Sequence, residues 1–172
     1  VKVPPEQREI YDDREWMLLP ADALWALLLW YRLGREAEAT GQVPDAEKKF
    51  AVLSHTTSDC ITLLAKKHGL GVIRTWVGFA SLSAVVRDAW DGKEMKKVVE
   101  GRWQDDEGKD HFHPFVCDYI DMDNGKRSFN IAAMEQSNGF SILGGPPPDA
   151  RSLGQGGHVR DKDGTLAALL TA

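Results

Sequence analysis

The 172-residue chain predicts an α/β fold, a three-layer α/β/α arrangement in which a mixed sheet of about four strands lies between helices, plus an antiparallel hairpin. Three observations predict it. Short apolar and β-branched runs at 50–54 and 71–77 alternate with helical patterns. Helical spacing recurs at Leu24, Leu27, Leu28 and Tyr31 and again at Leu82, Val85, Val86 and Ala89. Extended runs at 115–122 and 127–134 flank Asp123-Asn124-Gly125-Lys126, and Asn-Gly is a strong hairpin signal because both turn residues accept positive φ.

Residues 1–18 carry charge and two prolines and read as a linker from a preceding domain, with a first strand near 16–19. The domain proper spans 19–172. Its opening helix starts at about Asp22, and Trp25, Leu29 and Trp30 make it apolar nearly all round, as expected of a helix that is either central or touches another domain. The Thr/Ser/Asp cluster at 56–59 supplies N-caps for a helix ending at Gly69. Polar residues from Asp91 onward mark 91–114 as an insertion or loop, and the Gly/Pro content of 144–157 marks another loop.

Composition narrows the function. A net charge of −5 and a pI near 5.5 provide no electrostatic footprint for nucleic acid. The longest apolar run, 23–31, falls well short of the roughly 20 residues that cross a bilayer, so a membrane partner is not expected. Cys60 and Cys117 form neither a disulfide framework nor a zinc pattern, and without a signal-peptide design the expected location is cytoplasmic. His111, His113 and Cys117 lack a fourth metal partner, and Asp121, Asp123 and Asn124 fail the register of a calcium loop. Cys60 sits in an apolar helix pattern and reads as packing.

The chemistry concentrates near the C-terminus. Glu135 and Ser137 stand on a tight turn after a strand, where a carboxylate can accept two hydrogen bonds side by side from neighbouring hexose hydroxyls. Arg160 and Lys162 sit at a helix start, a place the helix dipole makes unfavourable for cations unless an anion joins them. Gly78, between a strand and a helix, allows close backbone approach. A sugar phosphate satisfies all three features.

Glu135-Gln136-Ser137-Asn138-Gly139, Asp161-Lys162-Asp163-Gly164, Thr75-Trp76-Val77-Gly78-Phe79 and the helix opened by Leu19-Pro20-Ala21-Asp22 together resemble the third, sugar-binding domain of the alpha-D-phosphohexomutases, the phosphoglucomutase and phosphomannomutase superfamily. The resemblance implies a sheet of three parallel strands and one antiparallel edge. It also implies a parent enzyme that interconverts hexose 1-phosphate and hexose 6-phosphate through a phosphoserine and a bisphosphate intermediate. Lys162 is then the catalytic residue near the transferring phosphoryl group, and Glu135, Ser137, Gly78, Arg160 and Lys162 bind substrate. The expected partners are hexose phosphate, hexose bisphosphate and the other domains of the same polypeptide. Mg2+ belongs to the parent, with its ligands outside this chain. Neither a phosphoserine loop nor an alternating-acid metal loop can be read here, so the chain is expected to be an excised, inactive domain. Where many members carry a lysine after the aromatic residue of the glycine loop, this chain has Ala80. The alternative is a noncatalytic carbohydrate- or phosphate-binding module that uses the same residues.

Overall fold

The computed structural model describes residues 2–93, 99–104, 106–115, 119–120 and 127–171. A 3-10 turn over Pro5–Tyr11 and an isolated bridge between Lys2 and Trp16 precede helix α1, Ala21–Ala37. The chain then alternates through β1 (Lys49–Ser54), α2 (Asp59–Lys67), β2 (Gly71–Thr75) and α3 (Phe79–Trp90). Two strands, β3 (Val99–Gln104) and β4 (Asp110–Phe115), follow. The chain closes with β5 (Tyr119–Ile120), β6 (Phe129–Glu135), β7 (Gly139–Ser141) and α4 (Gly164–Thr171).

The main sheet has the order β5-β2-β1-β6-β7, with β2, β1 and β6 parallel and a short antiparallel strand at each edge. Parallel strands covered on both faces need apolar residues at successive positions, and β1 is buried from Phe50 to Ser54. Phe50 and Val52 join Ile73, Leu82 and Val86 in a core beneath α3. Leu53 joins Val72, Met134, Ile61, Leu28 and Leu33 in a core beneath α1 and α2. The fold is therefore α/β, with helices on both faces of a mixed sheet.

The pairing of β1 with β6 shifts register between Phe50 and Ala51, which leaves Ile131 unmatched and turns both Ile131 and Ala132 toward α1. The fully buried Asn130 repairs the irregularity. Its amide donates to Ala132 O at 3.0 Å and its carbonyl accepts from Leu143 N at 3.1 Å.

Several sequence expectations change in detail. The runs on either side of Asn124-Gly125 do not pair with each other: β5 lies beside β2, and β6 lies beside β1. β6 is buried between β1 and β7, and the turn residues 121–126 lie outside the described ones. An antiparallel hairpin exists, but β3 and β4 build it, inside the stretch read as an insertion or loop. The expected strand at 16–19 is only the bridge at Trp16. On α1 the buried positions are Trp25, Leu28, Leu29 and Leu33, while Leu27 and Tyr31 are exposed, so the inward stripe is rotated from the one the spacing suggested. Cys60 is exposed at the start of α2, where Ser58 is the N-cap, rather than packed. The segment 144–157 is tightly built. A Cβ on Gly144, Gly154 or Gly157 would lie 2.3, 2.0 or 2.3 Å from a backbone carbonyl oxygen.

Candidate functional site

The parallel strands β1, β2 and β6 deliver their carboxyl ends to one edge of the sheet. β1 is followed by β2 on one side and has β6 on the other, so the strand order reverses beside β1, and crevices at such points are the usual ligand sites of open α/β sheets. Glu135 is the last residue of β6. A three-residue turn with Asn138 in the left-handed region (φ 67°) then pairs Glu135 with Gly139 at the head of β7.

Glu135 is only 1% exposed, yet two segments distant in sequence converge on its carboxylate. Gly78 N donates to Oε2 at 2.9 Å, and the Lys162 ammonium lies 2.7 Å from Oε1. The latter is an ion pair rather than an aligned hydrogen bond. The Ser137 hydroxyl, on the exposed turn, lies close enough to the carboxylate to favour its charged form. Burial pushes this carboxyl up, but the contacts with Lys162, Gly78 N–H and Ser137 together outweigh burial and hold it below its ordinary value. Glu135 is accordingly an anion inside the fold.

The scaffold explains the convergence. Trp25 of α1 stacks on Phe140 with centroids 5.3 Å apart and donates from its indole N–H to Glu135 O at 2.9 Å, fixing the strand end. Gly78 has φ 107° and ψ 129°, a conformation that side chains rarely tolerate, and nothing lies within 4 Å of where its Cβ would be. Its backbone N–H can therefore reach Glu135 while its other face stays open. The loop at 158–163 runs along β7: His158 N donates to Ile142 O at 2.8 Å, Asp163 N to Phe140 O at 2.7 Å, and Ser141 Oγ to Val159 O at 2.8 Å. That alignment carries Lys162 to Glu135. Asp163 then caps α4 by accepting from Leu166 N at 2.8 Å and pairs with His158, and the cap bond followed by the His158 contact holds its carboxyl below the ordinary range despite burial.

Of the residues singled out in the sequence, Glu135, Ser137, Gly78 and Lys162 meet at one point. Arg160 does not join them. Its carbonyl accepts from Ser83 Oγ of α3 at 2.7 Å, and its guanidinium donates to Ala150 O at 2.9 Å. The two cations of one loop thus serve different places. Lys162 is not an uncompensated charge at a helix start, as its position in the sequence suggested, because Glu135 already supplies an anion.

Gly139 belongs to this site and was not singled out as one of its residues. A Cβ there would lie 2.5 Å from Glu135 Cγ, 2.8 Å from Oε1 and 2.9 Å from Phe79 Cδ2, so only glycine leaves the carboxylate where it is. Its signal was the Asn138-Gly139 pair that follows β6. Among the described residues no group of three His, Cys, Asp or Glu side chains is placed to hold a metal, and the side chains of His111, His113 and Cys117 lie outside those described. No helix among them is long and apolar enough to cross a membrane. Comparison with protein-family models, curated proteins and solved structures returns no match.

Proposed function

We propose that this chain is the substrate-binding domain of a phosphohexomutase that interconverts hexose 1-phosphate and hexose 6-phosphate. The observation that carries the reading is the convergence on Glu135. The end of β6, the glycine turn before α3 and the lysine loop before α4 are three of the four segments on which the family resemblance rests; the first carries the carboxylate and the other two contact it.

The geometry suits a ligand with hydroxyls and a phosphate in one molecule. A carboxylate with two lone pairs per oxygen accepts from vicinal hydroxyls, and an ammonium is a mobile point charge for a phosphate. In the free chain each of these groups holds the other. A sugar phosphate can replace both halves of the pair at once, its hydroxyls taking Glu135 and its phosphate taking Lys162. A neutral sugar must separate the pair without compensating the ammonium. Phosphoryl transfer itself depends on positioning and charge neutralisation, and here Lys162 supplies the charge this chain can bring to the phosphoryl group. The phosphoserine and the magnesium ligands belong to the parent's other parts.

Isotope-edited NMR titration of the chain tests this. Glucose 1-phosphate should shift the Gly78 amide and the Lys162 ammonium saturably, while glucose at the same concentration should not. Glu135→Gln should weaken the response by about 10-fold, as expected for loss of a charge-assisted acceptor. A coupled mutase assay on the chain alone should show no turnover. Equal responses to glucose and glucose 1-phosphate would overturn the reading.

A further inference from the structure

The three parallel strands of the main sheet all end on a polar residue. Ser54 closes β1, Thr75 closes β2 and Glu135 closes β6, and they are 0%, 4% and 1% exposed. Their register is level: Ser54 is paired with Thr75, and Leu53 is paired with Met134, which sets Ser54 beside Glu135. Side chains alternate along a strand, and Val52, Ile73 and Ala133 belong to the core beneath α3, so all three polar side chains turn to that same face. The row lies beside the turn at Gly78, whose other face is open.

Buried polar groups normally have partners. The Ser54 hydroxyl is bonded to that of Thr57 at 2.7 Å, and Glu135 holds the Gly78 N–H and the Lys162 ammonium. Thr75 differs from both. Its backbone carbonyl accepts from His55 N at 2.8 Å, but its hydroxyl has no partner among the described residues. The Thr62 hydroxyl, also unbonded, is sealed in the fold, whereas that of Thr75 is not sealed and stands at the carboxyl edge of the sheet. Valine would suit β2 equally well as a β-branched residue, so the strand itself does not require the oxygen.

Position gives the oxygen a use. Along the edge the order is Lys162 on the loop beside β7, Glu135 on β6, Ser54 on β1 and Thr75 on β2. Neighbouring strands lie about 4.8 Å apart, which places Thr75 about 10 Å from Glu135. A pyranose ring about 5 Å across, with a hydrogen bond of about 2.8 Å at each side, spans the same distance. We propose that Thr75 is a further sugar-binding residue, whose hydroxyl bonds a ring hydroxyl on the far side of the sugar from those held by Glu135. The placing of the ligand rests on the sugar-phosphate reading of the Glu135–Lys162 pair.

Glucose 1-phosphate titrated into the 15N-labelled chain, read at the Gly78 and Thr75 amides, tests this with Thr75→Val and Thr75→Ser. Thr75→Val should weaken binding about 5-fold, the loss of one neutral hydrogen bond, and leave the melting temperature unchanged, because no bond within the fold is lost. Thr75→Ser keeps the oxygen and should bind within about 2-fold of the unmodified chain. If Thr75→Val binds like the unmodified chain while Glu135→Gln is weakened, this inference falls and the sugar-phosphate reading stands. If glucose binds as well as its phosphate and Thr75→Val weakens both, the phosphate reading falls and Thr75 remains a sugar contact. A fall of several degrees in the melting temperature of Thr75→Val, or no saturable response to glucose 1-phosphate, overturns the inference.

Discussion

Replacing Lys162 with methionine removes the charge that faces Glu135 and keeps most of the aliphatic stem. Glu135 is 1% exposed and the Lys162 side chain 44% exposed, with 2.7 Å between ammonium and carboxylate. Breaking a fully buried pair from one side costs about 3–5 kcal/mol, and exposed pairs contribute about 0–1 kcal/mol. One partner here is buried and the other half in water, so the expected loss is about 2 kcal/mol at pH 7. For a domain of this size that is a fall of about 4–8 °C in Tm. The pH dependence identifies the cause. The Glu135 carboxyl is held below its ordinary 4.5 in the fold, so it contributes stability above that value, and the contribution is lost as pH falls through the lower folded value. Without Lys162, burial should dominate and raise the carboxyl, so the variant should be penalised at neutral pH and recover once Glu135 is protonated. The gap between the two proteins should be full at pH 7 and narrow below about pH 4. Glu135→Gln should cost less, about 1 kcal/mol, because Lys162 is free to hydrate, and adding Lys162→Met to it should cost little more. Thermal melts of the four proteins across pH decide the matter. An unchanged Tm for Lys162→Met, or a gap that persists at pH 3, would refute the argument.

Gly139→Ala should lower stability by about 1–3 kcal/mol and displace the Glu135 side chain, because its Cβ would overlap Glu135 Cγ and Phe79; loss of the Gly78 amide shift seen on sugar-phosphate titration would report it. Gly144→Ala combines a φ of 75° with a Cβ 2.3 Å from Gln155 O, and chemical melts should place it among the most destabilising single substitutions in the 144–157 segment. Ser58→Ala should cost about 1 kcal/mol through loss of the α2 cap, with no change in ligand titrations, which makes it a control for stability effects alone. Asp163→Ala removes the bond to Leu166 N, and hydrogen exchange should show earlier opening of α4 than of α2.

Local chemistry made much of this protein legible from its residues. Ser58 before an apolar repeat marks the start of α2, the unbroken apolar run of β1 marks a strand buried on both faces, and strand–helix alternation specifies the α/β class. Glu135, Ser137, Gly78 and Lys162 were visible as chemistry because acids, hydroxyls and cations stood at turns and helix starts. Long-range geometry decided the rest. Whether β5 and β6 pair with each other or take separate places in the sheet depends on which neighbours can bury β6, and no local turn signal contains that information. Partnership is equally non-local: Lys162 meets a buried carboxylate, while the guanidinium of Arg160, two residues away, donates to Ala150 O. The sequence by itself determined which groups can carry charge and where the backbone can turn. Only the tertiary structure decided which charges meet, because a carboxylate with 1% exposure must find its counterion wherever the packed chain brings one.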